Sequence, residues 1–223
     1  MGLLNLTFSE MLARIIVLFT AITVHEYAHG FVAYKLGDPT AKYAGRLSLN
    51  PLSHLDPIGA ICMVFCGFGW AKPVPINPMY FTDRKKDSAW VALAGPASNI
   101  LLALLTAVVG ATYTAFVYER FPASFIAGFI FEVFIQLAAL NIGFAIFNLI
   151  PFPPLDGSKI LGAFLSYSSY SKLLMYERFG FPILILLSIT GTLGRILSVF
   201  YSPLWNGWVT LFNKLVSIMS TAL

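Results

Sequence analysis

The chain has 223 residues, of which 58% are hydrophobic and 11% are charged, and its mean hydropathy is +0.79. The charged fraction is less than half of the roughly 25% found in soluble domains. This composition excludes an ordinary soluble enzyme and indicates an integral membrane protein. The net charge of +4 is modest, and the basic residues fall in loops rather than in a stripe, so we expect no nucleic-acid partner.

The first predicted span covers residues 8–36 and ends at the turn signal Gly37-Asp38-Pro39. The N-terminal part of this span has no basic start and no small-residue cleavage site. We therefore expect a retained helix rather than a signal peptide.

A segment at 57–80 follows that is too short and too rich in glycine and proline to form another span. Its apolar part, IGAICMVFCGFGW, suits a re-entrant or interfacial segment. We expect Cys62 and Cys66 in it to be free buried thiols, because a single C-x-x-x-C pair lacks zinc-site spacing. The prolines of KPVPINP then enforce an extended path at an edge or docking surface.

Two further spans are predicted over residues 88–117 and 123–150, and the region 157–221 adds C-terminal helices that form one or two spans. The prolines of NLIPFPPLDG break the third span at its end. The predicted fold class is an all-α polytopic membrane protein, in which residues 1–223 form a single membrane-embedded domain. This domain contains three full spans, the re-entrant or extended segment and the C-terminal helices.

Basic residues concentrate between the first and second spans, and the positive-inside rule predicts that this region is cytoplasmic. If the second span leaves the cytoplasm and the third returns, HEYAHG in the first span and LDG after the third lie on the same side and can meet. The basic residues are Lys35, Lys42, Arg46, Lys72, Arg84, Lys85 and Lys86.

The motif HEYAHG, residues 25–30, puts three ionisable side chains into the otherwise apolar first span. On a helix His25 and His29 lie one turn apart on one face, close enough to bind one cation, while Glu26 points about 100° away. In this H-E-x-x-H pattern the histidines hold Zn²⁺ and the glutamate takes a proton from the metal-bound water. Packing alone is a poor explanation, because each ionisable group at membrane depth costs about 2.5 kcal/mol or more.

Two histidines leave a zinc site short of one protein ligand. A third histidine at H-E-x-x-H-x-x-G-x-x-H spacing is absent, since Val32 and Lys35 occupy those positions. Asp156 is the best candidate on position, because it follows a proline-broken helix end, where irregular backbone is tolerated only beside a site or buried in protein. A simple interfacial turn would also explain PPLDG. The other candidates are His54 and Asp56, which are more typical of a polar interfacial loop, and Asp83, Asp87, Glu119, Glu132 and Glu177.

Three motifs in order make the chain similar to a known family: HEYAHG at 25–30, AGPASN at 94–99 and NLIPFPPLDG at 148–157, together with FGWAKPVPINP at 68–78. The chain resembles the site-2 protease family of intramembrane zinc metalloproteases, in its short form without a PDZ domain. The resemblance implies a three-helix catalytic core that begins here with the first span. No extra helix is expected before it.

The resemblance also implies roles for individual residues. His25, His29 and Asp156 correspond to the ligands of one Zn²⁺ per chain and Glu26 to the catalytic base, and Asn148 matches an asparagine that hydrogen-bonds the substrate carbonyl or its oxyanion.

Gly95, Pro96 and Asn99 match a motif on the second core helix. Close helix packing through small residues explains the glycine, and the role of Asn99 stays open.

The implied function is hydrolysis of peptide bonds in or near the transmembrane segments of membrane-protein substrates. We expect contact with the lipid bilayer and a location in the plasma membrane of a prokaryote, with the site toward the cytoplasm. The re-entrant segment and KPVPINP are candidates for a gate and for holding a substrate extended. The rival is a non-catalytic metal carrier or partner-binding scaffold. Glu26 disfavours this rival, because a carrier needs ligands but no base beside them.

Overall fold

The computed structural model describes residues 7–59, 62 and 71–221, and this part of the chain is all-α without a strand. The predicted fold class is therefore confirmed. Short 3₁₀ turns occur at Pro51–Ser53 and Pro78–Tyr80, and a π-helical turn, Thr114–Tyr118, extends the third helix. The helices are α1 (Phe8–Lys35), α2 (Thr40–Tyr43), α3 (Arg84–Tyr113), α4 (Phe125–Leu149), α5 (Asp156–Phe164), α6 (Tyr167–Met175), α7 (Glu177–Ile189) and α8 (Thr192–Thr221).

Within the described residues, three helical stretches are long and apolar enough to cross a membrane: Phe8–Lys35, Arg84–Tyr118 and Phe125–Leu149. The α7–α8 pair, bent by 82° at its break, provides a fourth if it is counted as one span. The protein is a multi-pass integral membrane protein.

Helix α3 begins at Arg84 rather than at residue 88, because the Asp83 side chain accepts hydrogen bonds from the Lys85 and Lys86 backbone N–H groups. This N-cap starts the helix at a polar turn, before the apolar part of the sequence begins. The predicted boundary was based on hydropathy alone.

Helix α3 lies at the centre of the bundle and packs against α1, α4, α5 and α8. Alanines on α3 and α4 allow close backbone approach, as is common between membrane helices. Aromatic side chains of α8 fill the remaining space. The buried residues of this cluster are Ala103, Ala107, Ala111, Ala138, Ile142, Ile146, Trp208 and Phe212.

Residues 71–77, for which the prolines predict an extended path, contain no helix or strand and lie beside α1 at Glu26; we call them the extended segment. Hydrogen bonds with three surrounding residues hold this segment in place, in addition to its contact with Glu26. The Lys72 N–H donates to the His54 carbonyl (3.0 Å), Arg46 Nη2 donates to the Lys72 carbonyl (2.6 Å), and the Asn77 N–H donates to Asp38 Oδ2 (2.7 Å).

His54 lies in a loop, as predicted, directly after the 3₁₀ turn Pro51–Ser53. Its side chain is fully buried, and its Nε2 lies 2.7 Å from the Ser48 carbonyl oxygen. His54 thus stabilises the loop that holds the extended segment. Cys62 is free but half-buried rather than buried, and Cys66 and most of the predicted re-entrant segment lie outside the described residues.

Candidate metal centre and active-site cavity

His25, His29 and Asp156 converge between α1 and the start of α5. The two Nε2 atoms are 3.0 Å apart, and each lies 3.2 Å from Asp156 Oδ2. All three side chains are buried, and they form a group whose ligand atoms lie close enough together to hold one metal ion.

A zinc ion fits this donor set. Tetrahedral zinc with bonds of about 2.0–2.1 Å requires ligand atoms about 3.3 Å apart, close to the observed 3.0 to 3.2 Å. Asp156 Oδ2 is buried and has no hydrogen-bond partner, so this oxygen lacks the compensation that burial demands. A cation between the three atoms would supply it.

The negative charge of Asp156 persists despite burial. Desolvation opposes ionisation, but positive charge beside the carboxylate, on His29 while it is protonated or on a bound metal ion when His29 is neutral, holds the pKa of the carboxyl well below its ordinary value. The carboxyl group is also the first residue of α5, where the helix N-terminus favours an anion. Asp156 is therefore an anionic oxygen donor at neutral pH.

Asp156 reaches the histidines because the chain turns sharply after α4. Helix α4 ends at Leu149, and residues 150–155 cross to α5 without regular structure. Gly157 then packs directly onto the carbonyl oxygens of Leu149 and Ile150, where a Cβ atom would overlap them. The glycine of LDG thus allows α5 to start close to the end of α4.

Helix α3 passes directly beside the metal centre at Gly95. A Cβ atom at this position would lie 2.5 Å from His29 Nε2 and 2.6 Å from His25 Nε2. The sequence predicted a small residue for helix packing here. The structure shows that the space is needed by the ligand atoms themselves.

The second ring nitrogen of each histidine has a partner on α3. His29 Nδ1 lies 2.7 Å from the Val91 carbonyl oxygen, and His25 Nδ1 lies 2.7 Å from Asn99 Oδ1. A carbonyl oxygen only accepts, so His29 Nδ1 carries the proton and its Nε2 lone pair is free for a metal. The sequence left the role of Asn99 open, and the structure shows that its side chain contacts His25 of the metal centre.

A cavity of about 350 Å³ opens beside the metal centre, and Glu26 and Asn148 line it. The Val74 N–H of the extended segment donates to Glu26 Oε2 (2.9 Å). Gly30 allows this approach, because a Cβ there would already be 3.3 Å from Val74 Cγ1. Asn148 Nδ2 uses one N–H on the Phe144 carbonyl (3.1 Å) and keeps a second one available.

The remaining acidic candidates lie elsewhere. Asp83 and Asp87 belong to the cap of α3, Asp56 accepts from the Gly59 N–H, Glu119 accepts from Ser220, Glu132 accepts from Gln136, and Glu177 begins α7.

Sequence reasoning missed Asn141, whose side chain accepts a hydrogen bond from Asn99. An isolated asparagine within LAALNIGF was the available signal, because polar side chains are costly in a span.

A metal centre beside a glutamate, set among membrane-spanning helices, is the arrangement of a membrane metalloprotease. Comparison with known proteins agrees: a family model described as peptidase family M50 matches residues 117–187. The chain belongs to this family, the site-2 proteases. It is a zinc metalloprotease, and its cofactor is Zn²⁺.

Individual relatives carry the same designation. A Bacillus subtilis protein named "Putative zinc metalloprotease YwhC" is 40% identical over 178 residues, which cover 79% of this chain and 80% of that protein. "Putative zinc metalloprotease Rip2" of Mycolicibacterium smegmatis is 33% identical over 181 residues, covering 78% of this chain and 66% of that protein. The Mycobacterium tuberculosis protein of the same name is 28% identical over 194 residues, covering 84% and 66%. No solved structure matches the chain.

Proposed function

We propose that the protein hydrolyses peptide bonds within or near transmembrane segments of other membrane proteins. Support comes from one observation above all: the cavity with His25, His29, Asp156 and Glu26 lies among helices that are long and apolar enough to span a membrane. A substrate that reaches this cavity from the lipid would be a membrane-embedded chain.

In this proposal His25, His29 and Asp156 hold the zinc ion. When bound, zinc supplies Lewis-acid chemistry, which polarises a peptide carbonyl and makes water acidic near neutral pH. All three side chains are buried, so the ion would be held away from bulk solvent.

Glu26 acts as general base and then as general acid. Its carboxylate takes a proton from the attacking water, whose oxygen bonds to the carbonyl carbon, and delivers the proton to the leaving amine as the C–N bond breaks. The Val74 N–H orients the carboxylate through Oε2 and leaves Oε1 for the water. Asn148 directs its second N–H to the carbonyl oxygen as negative charge develops there.

The extended segment 71–77 receives the substrate. Val74 and Ile76 of this segment line the cavity, and an unwound substrate beside it would present a peptide bond to Glu26. Hydrolysis requires such unwinding, because a helical peptide bond is shielded by its own turns.

We also propose that the cavity faces the cytoplasm in a prokaryotic plasma membrane. Helix α1 ends and α3 begins near the cavity, and the basic residues concentrate at these same ends, including Lys35, Arg84 and Lys85. The positive-inside rule then gives the orientation.

The test is Glu26→Gln in the full chain purified in detergent, with a model transmembrane substrate. We expect the variant to keep its zinc content and to lose cleavage by about 10² to 10⁴-fold, the typical contribution of acid–base catalysis. Glu132→Gln is the matched control, because Glu132 is also on a spanning helix but bonds Gln136 instead of lining the cavity. Chelation should stop the wild-type reaction and zinc should restore it. Cleavage by Glu26→Gln at the wild-type rate would overturn the proposal.

A further inference from the structure

Asn141 is a polar side chain with no place in the proposed reaction. It lies on the spanning helix α4, is fully buried, and neither lines the cavity nor contacts a metal ligand. A buried amide at membrane depth is costly unless its hydrogen bonds are satisfied. Its partners therefore indicate what it does.

A series of hydrogen bonds leads from Asn141 to the metal centre. Asn141 Nδ2 donates to the Leu137 carbonyl oxygen (2.7 Å), and Asn141 Oδ1 accepts from Asn99 Nδ2 (2.6 Å). Asn99 Oδ1 then lies 2.7 Å from His25 Nδ1. This series of hydrogen bonds connects α4 through α3 to α1.

The hydrogen-bond partners allow only one orientation for each of the two side-chain amides. The Leu137 carbonyl only accepts, so the Asn141 amide nitrogen must face it and Oδ1 must face Asn99. Asn99 Nδ2 also approaches the Ala21 carbonyl (3.3 Å), which likewise only accepts. Asn99 Oδ1 must therefore face His25, and His25 Nδ1 must carry the proton.

The two histidines thus differ in the group that determines which ring nitrogen carries the proton. His29 uses the backbone carbonyl of Val91, whose orientation cannot reverse. His25 uses a side-chain amide, and an amide turned by 180° would present N–H groups to Nδ1. His25 would then carry its proton on Nε2 and could not bind a metal there.

We propose that Asn141 is a positioning residue: its short hydrogen bond from Asn99 (2.6 Å), backed by the longer one to the Ala21 carbonyl (3.3 Å), fixes the amide orientation of Asn99 and thereby keeps His25 Nε2 free to bind zinc. This role rests on the zinc site proposed above. It adds a residue on α4 that acts on the metal through another side chain.

The primary test is the zinc affinity of the full chain in detergent, measured with zinc alone by competition with a chromophoric chelator. Asn141→Leu should weaken binding by about 10-fold, the lower end of what the loss of a ligand's direct partner causes, because Asn141 acts through Asn99 and the Ala21 carbonyl remains as a weaker partner. The absorption spectrum of the cobalt-substituted protein should change as well. Thr106→Val is the control, because Thr106 is a buried α3 residue whose hydroxyl bonds only the Ala103 carbonyl of its own helix.

A second background separates positioning from packing. A carboxylate at position 99 has only oxygens, so it accepts from His25 in either orientation and has no amide to misplace. In the Asn99→Asp background the second carboxylate oxygen would face Asn141 Oδ1, another acceptor, so Asn141→Leu should not weaken the zinc affinity there. A packing defect would persist in that background.

If Asn141→Leu does not fold, Asn141→Ser replaces it, because a rotating hydroxyl fills less space and fixes no orientation. Wild-type zinc affinity in the single variant, or an equal loss in both backgrounds, would overturn the inference. Neither measurement uses proteolysis. A failure here leaves the proposed hydrolysis standing, and a chain that binds zinc but cleaves nothing leaves the positioning role standing.

Discussion

Gly95→Ala tests whether the close approach of α3 is required by the metal centre. The added Cβ would lie 2.5 Å from His29 Nε2, whereas ordinary contact begins at 3.4 Å. The histidines or α3 would have to move by about 0.9 Å, far beyond the 0.2 Å or so that metal–ligand distances tolerate. We expect zinc affinity to fall by about 100-fold, the upper end of what outer-shell changes cause.

Chelator competition and metal analysis of the purified protein measure this loss. Alanine favours a helix over glycine by about 1 kcal/mol, so a general weakening of α3 is not expected. Gly110→Ala is the matched control on the same helix, because its Cβ would meet Phe134 and Phe212 at 3.2 to 3.3 Å, away from the metal centre. Wild-type zinc affinity in Gly95→Ala would refute the reasoning.

Two further predictions concern the residues around the cavity. Asp156→Ala should lower the zinc content of the purified protein by removing its anionic ligand, and Asp87→Ala, which changes only the cap of α3, should not; an unchanged metal content in Asp156→Ala would contradict the ligand assignment. Asp38→Asn should slow cleavage of a model substrate and leave zinc in place, because the Asn77 N–H loses a charged acceptor worth about 1.5 to 3 kcal/mol and the extended segment loosens beside Glu26. Cleavage at the wild-type rate would show that this anchor is not needed.

The spans and the metal motif were predictable because they depend on local patterns. Hydropathy alone identifies α1, α3 and α4, and the i, i+4 spacing of His25 and His29 requires only that α1 be a helix. Asp156 was the best candidate because prolines interrupt the backbone just before it. The absence of a helix over residues 71–77 followed from the prolines as well.

The features that sequence reasoning missed depend on contacts between distant segments. Nothing near His54 indicates that its imidazole is buried, and nothing near Asn141 indicates Asn99 as its partner. The bend between α7 and α8 could not be predicted from the sequence either. Gly191 has φ +71° at the break, and a glycine between two apolar runs does not reveal its own backbone angle.

One packing register between α1 and α3 explains most of the metal centre. Val91, Gly95 and Asn99 are four residues apart and lie on one face of α3. Facing them on α1, His29 meets Val91, His25 meets Asn99, and Gly95 lies against both ring nitrogens. The order of partners reverses between the two helices, so they run antiparallel through the site.

This register links requirements that otherwise look independent. A shift of α3 by one residue would rotate its face by about 100°, removing the carbonyl and the amide from the two Nδ1 atoms and replacing the gap at Gly95 with a side chain. Both histidines would lose their fixed protonation and their space at once. We conclude that the spacing of Gly95 and Asn99 in AGPASN is set by the spacing of the histidines in HEYAHG, because each turn of α3 serves one turn of α1.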